Sequence, residues 1–298
     1  MSYIVKSVTN ATKRITRTLK MSSCKIGLFS LNTRGLGDKQ KRRTILKWIQ
    51  SNHSKKEGII FLQETHTTKL SELIWQRDWN GQAFFSHGTC GSRGVAILIP
   101  KCLNITVNNI TSDNFGRLLI LDCTLNDEKF ILVNIYSPTK DCQQDQIQLL
   151  NDLRKLLSDC TDQNLIIGGD FNTFLNSDLD KYGGRNENIS NYAKQIIEFN
   201  IEFNLIDIWR VLNPDKKRYT WRGHTRSGHV FSRLDFWLIS THLVYNVIET
   251  DIYPSIKTDH SLISISMEIE NSVKAGRGFW KFNSDLLRDA QYVKKLKH

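Results

Sequence analysis

The 298-residue chain lacks long apolar segments and paired cysteines. Its longest apolar runs, such as VAILI at 95–99, are far shorter than the roughly 20 residues that cross a bilayer as a helix. Its six cysteines are scattered and none forms a C-x-x-C pair, which argues against a zinc ribbon and against a disulfide framework. The sequence therefore predicts no transmembrane segment, and reduced thiols as in a cytosolic or nuclear protein.

Acidic residues are missing from the start of the chain. Residues 1–25 contain six Lys or Arg and no Asp or Glu, and residues 274–298 contain seven Lys or Arg against two acids. Since the formal net charge is +11, the stretch between them is close to neutral. A basic total is typical of proteins with a polyanionic partner, but two solvated tails would give the same total. Charge alone does not decide between them.

We expect three regions along the chain, and no repeat or low-complexity tract occurs in any of them. Residues 1–22 are predicted to be a disordered basic arm, although their Ser/Thr-rich, acid-free composition superficially resembles a mitochondrial transit peptide. Residues 23–270 are predicted to form the folded domain. Residues 271–298 are predicted to be a basic linker segment.

Strand and helix patterns alternate through the predicted domain. Asp38 is expected to cap a helix with apolar residues at 45, 46 and 49, and residues 143–158 have the periodicity of a second amphipathic helix. The apolar runs that predict strands are 24–32, 58–64, 93–100, 117–125, 129–138, 164–170, 233–240 and 261–269. This mixture of hairpins and helical crossovers predicts two packed sheets with helices outside.

Polar residues fall at the tips of these otherwise buried strands. Each one taken singly is explained by a cap, a turn or a packed aromatic, but six such tips together indicate a shared cleft. The tip residues are Asn32, Glu64, Tyr136, Asp170, Asn172, Asp235, Asp259 and His260.

Six ordered motifs give the chain a family resemblance over roughly residues 24–270. They are SLNTRGLG, FLQETH, NIYSPT, GGDFN, SRLDFWL and TDHSLI. In this order they resemble the endonuclease/exonuclease/phosphatase superfamily, and most closely the endonuclease domain of LINE-type, non-LTR retrotransposons. The resemblance implies a four-layered α/β sandwich. GRGFWKFNSDLLRD, after the last strand, is similar to the segment that links such nucleases to a reverse transcriptase.

The chemistry of phosphodiester hydrolysis gives each tip residue a role. Cleavage needs a positioned water, neutralised phosphate charge and a stabilised leaving oxygen. Glu64 is the predicted principal ligand of Mg²⁺, with Mn²⁺ as an alternative. Asn32 is expected to ligate or hydrogen-bond the ion, and Asp259 to ligate it or to orient its neighbour. Asp170 is predicted to activate the water and Asn172 to hold it. Asp235 is expected to orient a protonated His260 toward the phosphate, and Tyr136 to donate to a phosphate oxygen or the leaving group. The superfamily gives matching positions these roles.

Departures from the apurinic endonucleases bear on the substrate. Arg34 stands where those enzymes have a metal-binding Asp, which puts a second metal site in doubt. Ser232 replaces the aromatic residue that builds their abasic-sugar pocket, and retrotransposon endonucleases also have Ser there. Nicking of intact DNA is therefore favoured over an apurinic or exonuclease III-like repair function. A lipid or inositol phosphatase of the same fold and an inactive DNA-binding module remain as further alternatives.

Contacts to double-stranded DNA are predicted on the helix after Asn32 and on a hairpin near residues 222–231, which is expected to enter the minor groove. A solvated helix face is the alternative for the first set. The predicted contact residues are Arg34, Lys39, Arg42, Arg43, Thr220, Arg222, Arg226 and Ser232. We expect a reverse transcriptase domain in the full-length polypeptide, no membrane association, and action in the nucleus after cytoplasmic synthesis.

Overall fold

The structure, a computed structural model, describes residues 23–52, 58–160, 163–184, 188–225 and 228–270. The predicted basic arm at 1–22 and the predicted linker at 271–298 lie outside the described residues. Ser22–Glu270 forms one compact unit. Within the described part of the chain, no helix is long and apolar enough to span a membrane.

Two six-stranded sheets form the body of the described domain. The strands of the first sheet are β1 (Ser23–Asn32), β2 (Gly58–Gln63), β3 (Gly81–Ser86), β4 (Val95–Pro100), β14 (Val247–Tyr253) and β15 (Leu262–Glu270), in the order β14-β15-β1-β2-β4-β3. Those of the second sheet are β5 (Ile105–Ser112), β6 (Leu118–Leu125), β7 (Glu128–Tyr136), β8 (Asn164–Asp170), β10 (Leu205–Asp207) and β13 (Asp235–Ser240), in the order β10-β13-β8-β7-β6-β5. A smaller sheet joins β9 (Lys181–Tyr182), β11 (Trp221–Thr225) and β12 (Gly228–Ser232) in the order β11-β12-β9.

Helices flank the two large sheets. The described α-helices are α1 (Lys39–Asn52), α2 (Glu72–Asp78), α3 (Gln143–Leu156), α4 (Ser177–Asp180), α5 (Asn191–Glu202) and α6 (Ile208–Leu212). As predicted, Asp38 caps α1: its Oδ1 accepts a hydrogen bond of 2.6 Å from the Lys41 backbone N–H.

Three apolar clusters separate the layers. In β1, Ile26 and Leu28 belong to the cluster between the sheets, whereas Phe29 and Leu31 pack with Ile45 of α1 on the outer side. A third cluster packs α3 and α5 on the second sheet. The central strands β2, β4 and β8 are buried along nearly their whole length and have continuous apolar runs, whereas β15 alternates. Helix, sheet, sheet and helix make four layers, and the predicted four-layered α/β sandwich is confirmed.

The two glycines before Asp170 let neighbouring strands approach β8 closely. A Cβ on Gly168 would lie 2.1 Å from the indole ring of Trp237 in β13, and one on Gly169 would lie 2.0 Å from the carbonyl oxygen of Ile135 in β7. Gly169 also has a φ of +148°, which side-chain-bearing residues rarely adopt. The GGD motif therefore sets Asp170 tightly between two strands.

Candidate active site

Strand register brings three predicted residues side by side at one end of the second sheet. Tyr136, the last residue of β7, pairs with Asp170, the last residue of the parallel strand β8. Asp235, the first residue of β13, pairs with Asp170 from the other side because that strand is antiparallel. The order of strands alone therefore aligns a phenol and two carboxylates.

The first sheet supplies the facing residues. Asn32 ends β1 and Glu64 directly follows β2. The buried side-chain amide of Asn32 donates hydrogen bonds to Oε1 of Glu64 at 2.9 Å and to Oδ2 of Asp170 at 2.8 Å. This amide links the two sheets and places both carboxylates around one point.

The loops that follow these strands are conformationally strained. Arg34, Glu64 and Asn172 have φ values of 50°, 49° and 50°, a region that costs residues with side chains of order 1 kcal/mol or more. At Asn172 the turn is held by two hydrogen bonds: its backbone N–H donates to Oδ1 of Asp170 at 2.9 Å, and its side-chain amide donates to the Ser137 carbonyl at 2.7 Å. Strain gathered at one place is typical of functional sites.

His260 lies between two buried carboxylates. Its Nδ1 is 3.0 Å from Oδ2 of Asp235, and its Nε2 is 3.8 Å from Oδ2 of Asp170. Burial opposes the charged imidazole, but Asp235 and then Asp170 outweigh it and raise the pKa of His260 to about 9. Burial and the charge of Asp235 raise the pKa of Asp170. The predicted Asp235–His260 pair is thus formed, and it holds Nε2 toward Asp170.

Tyr136 completes the group. Burial, followed by the negative charges of Glu64 and Asp170, raises the pKa of its phenol, which also hydrogen-bonds Glu64. The hydroxyl is therefore a hydrogen-bond donor and stays protonated at neutral pH. The structure brings together at the strand ends Asn32, Glu64, Tyr136, Asp170, Asn172, Asp235 and His260.

The donor set fits a hard divalent cation. Glu64 and Asp170 present carboxylate oxygens around the Asn32 amide, and such ions take one or two carboxylates while keeping several waters. Among the described residues, Asp170, Asp235 and His260 also have ligand atoms within 4.8 Å of one another. Because His260 already hydrogen-bonds Asp235, Glu64 and Asp170 are the residues that would hold the ion.

Asp259 was predicted to be a metal ligand, but its carboxylate is bonded to other side chains. Its Oδ2 accepts hydrogen bonds from Arg34 at 3.1 Å and from the indole N–H of Trp221 at 3.2 Å. The Asp259 carboxylate is therefore the counter-ion of Arg34, whose side chain remains 67% exposed. The sequence predicted the loss of one metal-binding carboxylate at position 34. The structure has the Arg34 guanidinium there, paired with Asp259.

Two of the predicted DNA-contact residues are buried near the base of the hairpin. Thr220 is fully buried, and its hydroxyl oxygen accepts hydrogen bonds from the backbone N–H groups of Leu234 and Asp235 at 2.9 and 3.1 Å. Ser232 is only 6% exposed and pairs with Trp221 inside the hairpin. Both residues hold the start of β13, and hence Asp235, in place.

The predicted basic residues on α1 divide into two kinds. Arg42 is 4% exposed, and its guanidinium is bonded to Asp78 at 2.7 Å, so the prediction of a DNA contact is wrong for this residue. Arg43 is 57% exposed although it also pairs with Asp78. Lys39 is exposed, as is Lys47, which sequence reasoning missed although it follows Arg43 at helical spacing. In the hairpin, Arg222 is exposed, and Arg226 lies outside the described residues.

Sequence reasoning also missed Trp221 as a site residue. It forms an isolated β-bridge with His260, besides donating to Asp259. The backbone N–H of Arg222 donates to the Asp259 carbonyl at 3.2 Å. The root of the hairpin is therefore bonded to the loop that carries His260. A tryptophan just before a basic Gly-containing turn was the available signal.

A carboxylate cluster with a charged histidine and a phenol donor, at the ends of strands in a four-layered sandwich, defines a hydrolase of phosphate esters. The chain belongs to the endonuclease/exonuclease/phosphatase family, whose model matches residues 29–260. Enzymes of this family generally depend on a divalent metal ion.

Two proteins and one solved structure are similar to this chain. The chain is 31% identical over 91% of its length to the Xenopus laevis "Transposon TX1 uncharacterized 149 kDa protein", and 26% identical over 60% of its length to "Recombination repair protein 1" of Drosophila melanogaster. It spans only 20% and 28% of those proteins. The fold is similar to that of AP endonuclease LMAP from Leishmania major, with a TM-score of 0.70 and 17% identity over 83% of this chain and 88% of that one.

Proposed function

We propose that this domain is a Mg²⁺-dependent endonuclease that nicks double-stranded DNA and leaves a 3′-OH for target-primed reverse transcription by a non-LTR retrotransposon. The observation that carries the proposal is the intact group of Asn32, Glu64, Asp170, Asp235 and His260, on a chain with a transposon protein as a relative over 91% of its length. Such an enzyme would act in the nucleus, and its polypeptide would include a reverse transcriptase.

The side chains divide the reaction among themselves. Asp170 accepts the proton of the attacking water, which Asn172 helps to orient. His260, held cationic by Asp235, donates to an oxygen of the scissile phosphate, and Tyr136 donates from the side of Glu64. Bound at Glu64 and Asp170, Mg²⁺ would neutralise phosphate charge and stabilise the leaving 3′ oxygen.

Repair of abasic sites is the second candidate, because the Drosophila relative is named as a recombination repair protein and the fold is that of an AP endonuclease. Two residues disfavour it in this chain. Ser232 is small and buried within the hairpin and so provides no aromatic wall for an abasic sugar. Arg34 brings a cation in place of the carboxylate that those enzymes carry.

Plasmid nicking tests the proposal. With Mg²⁺ the full chain should convert supercoiled plasmid to the nicked circle, and EDTA should abolish this conversion. DNA polymerase should extend the nicks without prior phosphatase treatment, because cleavage on the 3′ oxygen side leaves a free 3′-OH. Nicks that require phosphatase treatment would contradict the proposed polarity. Much faster cleavage of an abasic duplex than of its intact counterpart would favour the repair function.

We infer that the exposed basic residues of α1 contact DNA beside the candidate active site. The ammonium group of Lys41 donates to the Arg34 carbonyl at 2.8 Å, which ties the first turn of α1 to the catalytic loop. From there Lys39, Arg43 and Lys47 follow one another at intervals of four residues, which places them on one face of the helix. Contacts of this kind provide affinity without sequence information.

The two kinds of basic residue on α1 should therefore respond differently to substitution. Arg42→Ala should lower the free energy of unfolding by about 3 kcal/mol, because it breaks a buried ion pair, and should leave duplex affinity unchanged. Lys47→Ala should leave stability within about 0.5 kcal/mol and reduce the slope of log K against log salt by about one unit. Urea denaturation and salt titrations in EDTA measure the two effects. A DNA-binding defect in a stably folded Arg42 variant would contradict the structural role.

A further inference from the structure

Rings cluster on one face of the three-stranded sheet. The ring centroid of Phe231 lies 6.0 Å from that of Tyr182, 5.9 Å from that of Tyr219 and 6.1 Å from that of His229. His224 extends the row, with its ring 4.8 Å from that of His229. These five residues are called the aromatic strip below.

Strand register shows which face the strip occupies. Phe231 pairs with both Arg222 and Tyr182, and His229 pairs with His224, so these side chains project from the same face. Trp221 and Val230 project from the opposite face, and Trp221 is the residue that bonds the catalytic loop. The strip is therefore a surface separate from the candidate active site, and Trp221 on the opposite face connects the sheet to the catalytic loop.

The strip is partly open to solvent, and its neighbours in the sequence are basic. Tyr182 is 61% exposed, and His224 and His229 are exposed as well. The segment from Lys216 to Ser232 contains five Lys or Arg and no Asp or Glu. Aromatic side chains interleaved with cations are the combination that binds unpaired nucleotides, since bases stack on the rings and the cations meet the phosphates.

Ring spacing favours a single strand over a duplex. Neighbouring ring centroids around Phe231 are about 6 Å apart, whereas bases along one strand of a duplex rise by about 3.4 Å. In a duplex, moreover, both faces of each base are covered by its neighbours. Only an unstacked strand can present base faces to rings at this spacing.

We propose that the aromatic strip binds unpaired bases of single-stranded DNA next to the cleavage site. The choice of DNA rests on the proposed function, because a nicked duplex can open and release a strand end beside the hairpin that carries the strip. The binding itself requires no cleavage, so it can be measured separately.

Fluorescence anisotropy in EDTA tests this inference with the full chain. The probes are a labelled oligothymidylate of about 12 nucleotides, a duplex of equal length and an RNA oligonucleotide. Tyr182→Ala should weaken oligothymidylate binding by about fivefold to a hundredfold, the range for one stacked base, and change duplex affinity less than about twofold. Tyr182→Phe keeps the ring and should bind like the wild type.

Tyr245→Ala is the matched control. Tyr245 is 94% exposed and lies beyond the end of β13 opposite to Asp235, so its loss should change neither affinity. Equal losses for oligothymidylate and duplex with Tyr182→Ala, or no loss, would overturn the inference, and tighter binding of RNA would overturn the choice of DNA. If the wild type fails to nick plasmid while the selective loss persists, the proposed function fails and the strip remains a single-strand site.

Discussion

Asp170→Asn is expected to slow plasmid nicking by about a hundredfold to ten-thousandfold, the range for loss of a general base. The substitution preserves the shape of a side chain that is 1% exposed and bonded to Asn32 and Asn172, but it removes the proton acceptor and one carboxylate of the metal site. Initial rates of nicking at saturating Mg²⁺ measure the effect.

Asp152→Asn provides the matched control, because it makes the same chemical change on the half-exposed face of α3. Its nicking rate should equal that of the wild type. Duplex affinity in EDTA should not fall in Asp170→Asn, since the substitution removes a negative charge near the phosphate. Nicking at the full rate by Asp170→Asn would show that another group activates the water.

The sequence was sufficient to predict that most of these residues lie close together, because they fall at strand tips. An apolar run that ends in a polar residue places that residue at the edge of a sheet, whichever strands become neighbours. Tyr136, Asp170 and Asp235 follow this rule, and their in-register pairing needs only the order of three adjacent strands. The family resemblance added the roles of these residues and the four-layered fold.

Strands at the sheet edges were not predicted. β3, β5, β10 and β14 are the outermost strands of the two large sheets in the described part of the chain. They are only partly buried, and β5 is mostly exposed, so few of their residues have to be apolar and the sequence ITVNNITS has no clear pattern. The central strands are buried on both faces and were visible for that reason.

Partners distant in sequence explain the residues that were assigned wrongly. Arg42 belongs to a basic run that is typical of a DNA-binding face, but Asp78, 36 residues away, draws it into a buried ion pair. Thr220 precedes Asp235 by 15 residues and caps its strand. The amino-acid type and local spacing of a residue do not reveal such a partner, because the partner depends on how the layers pack.

The arginine of the SRLDFWL motif illustrates the same dependence, and its replacement should have the largest effect on stability. Arg233 is 1% exposed, and its guanidinium contacts Asp180 at 2.8 Å and Asp207 at 2.7 Å. Its backbone N–H also donates to the Asp180 carbonyl at 2.8 Å. Arg233 precedes Asp235 by two residues, so these contacts hold the start of β13. Arg233→Met would leave Asp207 without this cation and Asp180 with Arg210 alone, and breaking a buried ion pair costs about 3–5 kcal/mol.

Urea denaturation of Arg233→Met should show this loss of unfolding free energy, and the nicking rate per folded molecule should also fall because the start of β13 shifts. Arg43→Met is the matched control: its side chain is 57% exposed, and Asp78 keeps Arg42 as a partner. It should change stability by less than about 1 kcal/mol. Equal effects of the two substitutions would mean that the buried network around Asp180 does not hold the catalytic strand, and that Asp235 is positioned by Thr220 and the sheet alone.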